Sequence, residues 1–185
     1  MKEKNVKNYI WNLVLSAMFM AIGLVLPFFT GQIPQIGRML LPMHLPVLLC
    51  GLICGWQYGG VVGFVLPLLR YVMFGMPPIF PTGLAMAFEM AVYGFVCGWL
   101  YLRLSGHKWR IYPALISAMV LGRVVWGIVR LILAGLSAQS FTMAAFISGA
   151  LLTAIPGILL QLVLVPLLVT ALERAKVMPH ERRAV

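Results

Sequence analysis

The chain of 185 residues is 62% hydrophobic and only 10% charged, and it carries a formal net charge of +10. Soluble domains have about 25% charged residues, so the composition excludes a water-soluble globule and a disordered tail. Most basic residues lie at the termini and in short segments between apolar runs, which is typical of a multi-pass membrane protein and gives no indication of nucleic-acid binding.

Breaks in the hydrophobicity predict six helices in a single domain that comprises residues 1–185. The polar segment after the first helix contains Gly and Pro and cannot lie in lipid, and three prolines between residues 75 and 81 force a second break. The sequence therefore predicts an all-α, integral membrane bundle of six transmembrane helices. In chain order, the predicted helices cover residues 9–29, 42–56, 59–74, 82–102, 112–134 and 143–172.

The Lys and Arg residues predict how this bundle is oriented. With six spans, both termini lie on one side of the membrane, together with the linkers 57–58 and 103–110. Ten Lys and Arg residues fall on that side, whereas Arg38 is the one basic residue on the other. Since short cytoplasmic segments carry an excess of Lys and Arg, both termini are predicted to be cytoplasmic.

Arg70, Glu89, Arg123 and Arg130 fall inside predicted spans, where an unpaired charge costs several kcal/mol. At 1.5 Å per residue, Arg70, Arg130 and Glu89 lie roughly 6 to 10 Å below the outer surface, and Arg123 lies roughly 17 Å below it. One carboxylate cannot neutralise three arginines. The surplus of positive charge indicates a site for a small carboxylate or another anion.

Other interpretations of these charges remain open. Arg70 and Arg130 are close enough to the outer surface to extend to lipid headgroups. Glu89 with one arginine could be a structural ion pair between two helices. Arg123 is too deep to reach the headgroups easily, which favours a polar cavity or a network of paired side chains.

Three uncharged side chains join the predicted substrate site. Trp126 shares a face of the fifth helix with two of the arginines, and Tyr93 lies one turn after Glu89 on the fourth helix. His44 lies between two prolines at the start of the second helix. Two interpretations of His44 are open: a ligand contact and a hydrogen-bonded loop residue. The predicted substrate-binding residues are Glu89, Arg123, Arg130, Trp126, Tyr93, Arg70 and His44.

Catalytic and metal-binding motifs are scarce in this sequence. It has no His-Glu-x-x-His, no Gly-x-Ser-x-Gly, no nucleotide-binding loop and no Asp. Cys50, Cys54 and Cys97 lie in apolar stretches without a His or acidic partner at metal-ligand spacing. We therefore expect no metal, no cofactor and no enzymatic activity. An intramembrane enzyme that uses Glu89 and His44 on lipid or isoprenoid substrates, and a self-contained ion-coupled carrier, are the alternatives.

Small and isolated polar residues in the spans indicate helix contacts. Ala17 and Ala21 form a small-xxx-small pair, which lets another helix approach closely. The isolated side chains of Asn12 and Gln161 are expected to form hydrogen bonds between helices. A series of glycines in the second and third helices is interpreted as internal packing: Gly51, Gly55, Gly59 and Gly63.

Two segments of the chain resemble a known family. The first is Leu41-Pro-Met-His-Leu-Pro-Val-Leu-Leu-Cys-Gly-Leu-Ile-Cys-Gly55, followed by Tyr58-Gly-Gly-Val-Val-Gly63. The second is Phe80-Pro-Thr-Gly-Leu-Ala-Met-Ala-Phe-Glu-Met-Ala-Val-Tyr-Gly94. Both resemble the substrate-binding membrane subunit, or S component, of energy-coupling factor (ECF) vitamin transporters, and residues 41–94 look most like the pantothenate-type branch.

The resemblance implies a substrate-binding subunit of an ATP-driven importer in the prokaryotic plasma membrane. Such a subunit captures a vitamin or related micronutrient under its outer loops, which correspond to residues 30–41 and 75–81. It then topples in the membrane with a transmembrane coupling subunit and two ATPase subunits. Ala17 and Ala21 match the family's docking motif. The positive surplus favours a carboxylate such as pantothenate; folate, niacin, pyridoxine-type compounds and queuosine precursors remain open.

Overall fold

The computed structural model describes residues 2–30, 41–105, 109–136 and 154–174. Within these ranges the chain forms α-helices and no strand, and five helical segments are long and apolar enough to cross a membrane. The predicted all-α membrane bundle is therefore confirmed. A short helical turn, Ile79–Gly83, leads into the fourth helix. The helices are α1 (Lys2–Thr30), α2 (His44–Cys54), α3 (Trp56–Phe74), α4 (Leu84–Arg103), α5 (Ile111–Leu136) and α6 (Ile155–Arg174).

The helix α2 is shorter than predicted and lies at the centre of the bundle. Its 11 residues extend about 16 Å, roughly half of the 30 Å hydrocarbon core, so α2 does not span a membrane by itself. Every residue of α2 except Leu45 is buried, and the helix contacts α1, α3, α4 and α6. The start of α2 therefore lies among the other helices, where a polar side chain is shielded from lipid.

The boundary between α2 and α3 was placed wrongly by the hydrophobicity pattern. Gln57 and Tyr58, predicted as the linker, lie in the first turn of α3, and the break falls at Gly55. Gly55 has a φ of 108°, a backbone conformation that favours glycine over residues with a side chain. A polar Gln at a membrane interface does not end a helix, whereas a residue with positive φ does.

The first helix begins at Lys2, seven residues before its predicted start at Tyr9, and the other helix ends agree with prediction to within about three residues in the described ranges. The break in 75–81 is present, since α3 ends at Phe74 and Gly75 follows with a left-handed φ of 70°. Three predicted features lie outside the described residues: most of the first polar loop (31–40), most of the loop before the sixth helix (137–142) and the first part of that helix (143–153).

Glycines bring the backbones of α2, α3 and α4 into direct contact. A Cβ atom at Gly63 would meet the backbone carbonyl of Met90, and one at Gly94 would meet the backbone of Gly59. A Cβ atom at Gly51 would likewise meet the carbonyl of Gly94. The predicted role of Gly51, Gly59 and Gly63 in internal packing is confirmed. This close contact fixes α4, and with it Glu89 and Tyr93, against α2.

Replacing Gly63 by alanine should destabilise the protein by about 1–3 kcal/mol, because the added methyl group forces the α3 and α4 backbones apart. Gly60→Ala is a matched control on the same helix, since the nearest atom to its added Cβ lies 3.6 Å away, an ordinary contact. The midpoint of thermal unfolding in detergent should fall for Gly63→Ala and stay near wild type for Gly60→Ala. Equal midpoints for the two variants would contradict this packing.

A polar network joins the ends of three helices on the predicted cytoplasmic side. Arg110, just before α5, donates to the Tyr101 hydroxyl at 2.8 Å and pairs with Glu173 of α6 at 3.1 Å. The Tyr101 hydroxyl also donates to Glu173. The Arg110 guanidinium lies 4.1 Å from the centre of the Tyr101 ring. This network connects α4, α5 and α6 at the end opposite His44.

Candidate functional site

Buried polar side chains from four helices meet near the start of α2, and we call this group the polar cluster. Arg123 is 9% exposed, and each of the other members is 1% exposed. Residues of this kind are rarely buried so completely in an apolar bundle unless they are paired or functional. The members of the polar cluster are His44 of α2, Glu89 and Tyr93 of α4, Arg123 of α5 and Gln161 of α6.

Glu89 lies at the centre of the polar cluster. Its Oε1 atom is 3.0 Å from Nη1 of Arg123 and 3.7 Å from Nε2 of His44. The His44 ring also contacts the ring of Tyr93, with 5.1 Å between the ring centres. A buried carboxylate needs a positive partner, and Arg123 supplies one here. The ion pair that was one of the alternative interpretations of Glu89 is therefore present, and it connects α4 to α5.

Most polar atoms of this cluster have no hydrogen-bond partner among the described residues. More than nine-tenths of buried polar groups in proteins are hydrogen-bonded, and each unsatisfied group costs about 1–3 kcal/mol. So many unsatisfied atoms among the described residues make this cluster the candidate site. These atoms are both ring nitrogens of His44, the Tyr93 hydroxyl, Nε and Nη2 of Arg123, and Oε1 of Gln161.

Gln161 ties α6 to the beginning of α2. Its Nε2 atom donates to the Leu41 carbonyl at 3.4 Å, and the backbone N–H of His44 donates to the same carbonyl at 3.1 Å. Leu41 has a φ of 48°, which is uncommon for a residue other than glycine. Gln161 thus forms a hydrogen bond to another part of the chain as predicted, but its acceptor lies in the turn before α2 and not in a helix. Gln161 was not among the predicted site residues, although an amide alone in an apolar span was a signal for it.

Arg130 and Trp126 lie further along α5 and are partly exposed. The Nη1 atom of Arg130 donates to the Thr82 hydroxyl at 3.2 Å, and its guanidinium is 5.7 Å from the centre of the Trp126 ring. Arg130 is two helical turns from Arg123, roughly 10 Å along the axis. Arg130 and Trp126 therefore lie beside the turn Ile79–Gly83, which leads into α4, toward the predicted outer end of the bundle.

Arg70 has a different set of contacts from the other candidates. Its Nη1 atom donates to the Leu24 carbonyl of α1 at 3.0 Å. Its guanidinium lies 5.3 Å from the Phe28 ring and 6.0 Å from the Phe74 ring. In the described part of the chain, these contacts join α3 to α1, and none of them reaches the polar cluster. The structure thus separates Arg70 from Glu89, although the two lie at similar predicted depths.

Gly122 allows α5 to approach α4 beside the polar cluster, and sequence reasoning missed it. A Cβ atom at Gly122 would collide with the ring of Tyr93 and lie 3.2 Å from the Glu89 carbonyl oxygen. The absence of a side chain at this position therefore makes room for Tyr93 and places the next residue, Arg123, beside Glu89. A single glycine in a helix gives no such signal in the sequence, because its role depends on the neighbouring helix.

Replacing Gly122 by alanine should reduce ligand affinity by about 10-fold or more, because it displaces Tyr93 and moves Arg123 away from Glu89. Gly135→Ala is a matched control near the end of the same helix, since no atom of the described residues lies within 4 Å of its added Cβ. Isothermal titration calorimetry on both purified variants tests this expectation. Wild-type affinity in Gly122→Ala, with the protein folded, would show that this contact does not shape the site.

Ala17 and Ala21 are both exposed on α1, on the face turned away from the bundle. The opposite face of α1 carries Leu15 and Phe19, which belong to the buried core. Ala17, Ala21 and the exposed residues beside them form what we call the α1 docking face. Their exposure is a condition for the predicted docking on another helix.

The search of curated proteins found no match, and the search of solved structures found none either. The family model described as the substrate-specific component of ECF transporters matches residues 12–169. This match includes α2 to α5 entirely and most of α1 and α6, and therefore all members of the polar cluster. The chain belongs to the family of ECF transporter substrate-specific components, the membrane subunits that bind the substrate of these importers.

Proposed function

We propose that this chain captures a small, carboxylate-bearing vitamin or related micronutrient, of which pantothenate is the favoured example, and that the polar cluster is its binding site. The observation that carries the proposal is the buried group of unsatisfied donors and acceptors around Glu89 and Arg123. Family membership indicates that the chain binds a substrate, and the chemistry of the polar cluster indicates which kind of substrate it binds.

The charges near the polar cluster support an anionic ligand. Arg123 pairs with Glu89 through Nη1, and its Nε and Nη2 atoms have no hydrogen-bond partner in the described residues. Water is scarce at this depth, so the attraction of these donors to an anion is strong. Arg123 is placed by neighbouring helices and not by a flexible loop, so little ordering is needed when the ligand binds.

The proposed partners are a transmembrane coupling subunit and two ATPase subunits. The α1 docking face offers small side chains to a partner helix, and close approach of helix backbones is the usual basis of association in membranes. Toppling of the chain on that partner would carry the polar cluster from one side of the membrane toward the other. The Lys and Arg distribution supports cytoplasmic termini, and the family supports a prokaryotic plasma membrane.

Uptake by reconstituted liposomes tests the proposal. Liposomes that contain the chain with its coupling and ATPase subunits should accumulate radiolabelled pantothenate when ATP is supplied on the ATPase side. Liposomes with the chain alone should bind the compound without accumulating it, and the bound compound should be recovered unchanged. Accumulation by the chain alone under an ion gradient would indicate a self-contained carrier, and chemical conversion would indicate an enzyme; either result contradicts the proposal.

A further inference from the structure

A groove runs along the outside of the bundle between α3 and α4, and we call it the α3–α4 groove. We propose that this groove binds one acyl chain of an anionic phospholipid and that Arg103 binds the phosphate of the same lipid. The groove is separate from the polar cluster, because Phe88 and Phe95 of its lining are exposed whereas Glu89 and Tyr93 of the same helix are buried. The inference therefore does not depend on the proposed function.

The lining of the α3–α4 groove is almost entirely hydrocarbon. Its volume is about 680 Å³, within the range of sites that hold a small molecule. Gly60 and Ala91 lie in the middle of the lining, and their small size leaves a recess between the two helices. An aromatic pair lies at each end of this recess: Trp56 with Phe95, whose ring centres are 5.0 Å apart, and Phe64 with Phe88, whose ring centres are 5.4 Å apart.

An acyl chain fits this recess better than water does. Water would find almost no hydrogen-bond partner along the lining, and an empty recess would lose the dispersion contacts of its walls. Trp56 and Phe64 are about two helical turns apart, roughly 12 Å along the axis of α3. One leaflet contributes roughly 15 Å of hydrocarbon, so a lipid chain in the groove follows it through most of that leaflet.

One end of the groove lies at the level of lipid headgroups. Trp56 and Gln57 are the first two residues of α3 and line this end, on the predicted cytoplasmic side. Trp99 of α4, which is 41% exposed, follows one helical turn after Phe95 in the same direction. Tryptophan is enriched where the hydrocarbon meets the headgroups. The lipid therefore belongs to the cytoplasmic leaflet, with its headgroup beyond Trp56.

Arg103 supplies a positive charge in line with the groove. Phe95, Trp99 and Arg103 follow one another at intervals of one helical turn and share a face of α4. The guanidinium of Arg103 lies 5.3 Å from the centre of the Trp99 ring, so this side chain extends back along α4 toward the groove. Arg103 is exposed, and none of the ion pairs among the described residues includes it. Since arginine binds phosphate through paired hydrogen bonds, and the cytoplasmic leaflet carries negative charge, an anionic phospholipid fits this position.

Lipid titration of the purified full chain in detergent, followed by native mass spectrometry, tests the headgroup. The probes are phosphatidylglycerol and phosphatidylcholine with identical acyl chains. The first phosphatidylglycerol should bind about fivefold more tightly than the first phosphatidylcholine, the preference expected from one basic residue at headgroup level. Equal affinities for the two lipids would overturn the anionic headgroup.

The Gly60→Leu variant tests the groove itself. A leucine side chain occupies the recess, so the affinity for phosphatidylglycerol should fall by about 10-fold or more. The added Cβ makes only ordinary contacts, the nearest at 3.6 Å, so the fold is expected to remain intact. Gly135→Leu on α5 is the matched control, because no atom of the described residues lies within 4 Å of its Cβ. Wild-type affinity in Gly60→Leu, or an equal loss in both variants, would overturn the groove as the binding site.

The Arg103→Gln variant tests the phosphate contact without disturbing the packing. It should bind phosphatidylglycerol and phosphatidylcholine with affinities that agree within about twofold. Arg174→Gln is the matched control, because Arg174 is an exposed arginine in the last turn of α6, and its preference for phosphatidylglycerol should stay at the wild-type value. Undiminished preference in Arg103→Gln would overturn the assignment of the phosphate to Arg103.

Two other occupants of the groove would be recognised with the same variants. If a helix of the coupling subunit occupied it, Gly60→Leu would lose co-purification with the ATPase subunits and keep wild-type lipid affinity. If a second copy of this chain occupied it, the wild type would elute as a dimer that Gly60→Leu converts to a monomer. Either result would overturn the lipid site.

Discussion

Replacing Arg123 by alanine should lower the affinity for pantothenate by about 100-fold or more, because two charge-assisted hydrogen bonds to the ligand carboxylate are lost. The same change leaves Glu89 buried without its positive partner, which adds electrostatic repulsion against an anionic ligand. Calorimetric titration of the purified variant measures the effect.

The matched control for this variant is Arg174→Ala. Arg174 is an exposed arginine in the last turn of α6. This substitution removes one positive charge from the opposite end of the bundle and should leave ligand affinity unchanged. An equal loss of affinity in both variants would indicate a general effect of charge and not a contact with the ligand.

A second variant distinguishes the loss of a ligand contact from misfolding. Arg123→Ala leaves an unpaired buried carboxylate, which can cost about 3–5 kcal/mol of stability. Arg123→Gln combined with Glu89→Gln removes both charges and keeps two side chains that can form hydrogen bonds. This double variant should elute as a monodisperse protein and still fail to bind pantothenate. Wild-type affinity in the double variant would remove the Glu89–Arg123 pair from the site.

Replacing both Ala17 and Ala21 by leucine should reduce co-purification with the coupling and ATPase subunits to roughly a tenth or less, because a partner helix can no longer approach α1 closely. Ligand affinity of the isolated variant should stay at the wild-type value, since the α1 docking face is turned away from the polar cluster. Affinity purification through a tag on an ATPase subunit, followed by quantification of this chain, measures the effect.

Bulky substitutions on a different face supply the control for the docking experiment. Val163 and Leu167 of α6 have the same spacing of four residues as Ala17 and Ala21, and both are exposed. Val163→Trp with Leu167→Trp adds bulk to a face that we do not assign to the partner, and co-purification should continue. Retained co-purification of the leucine variant, or loss in the tryptophan variant alone, would assign docking to another surface.

The helices could be predicted from the sequence because apolar runs and their breaks follow directly from membrane thickness and the chemistry of proline. The boundary at Gly55 could not be predicted in this way, because the positive φ of that residue reflects how α2 and α3 pack. The polar pair Gln57 and Tyr58 looked like a linker by composition alone. Hydrophobicity therefore located the spans, and contacts between helices set their ends.

The site could be predicted in part. Depth along a helix follows from residue count, so Glu89 and Arg123 were expected to matter at membrane depth, and the structure brings them together. The direction in which a side chain points around the bundle does not follow from depth, and Arg70 therefore turns out to contact α1. Gly122 and Gln161 act through neighbouring helices, and a single sequence does not say which helices are neighbours.

The most direct measurement is a structure of the wild-type chain with pantothenate bound, determined by crystallography or by electron microscopy with a rigid binding partner. We expect ligand density within hydrogen-bonding distance of Nε and Nη2 of Arg123. Density elsewhere in the bundle, with Arg123 still bound only to Glu89, would contradict the polar cluster as the binding site.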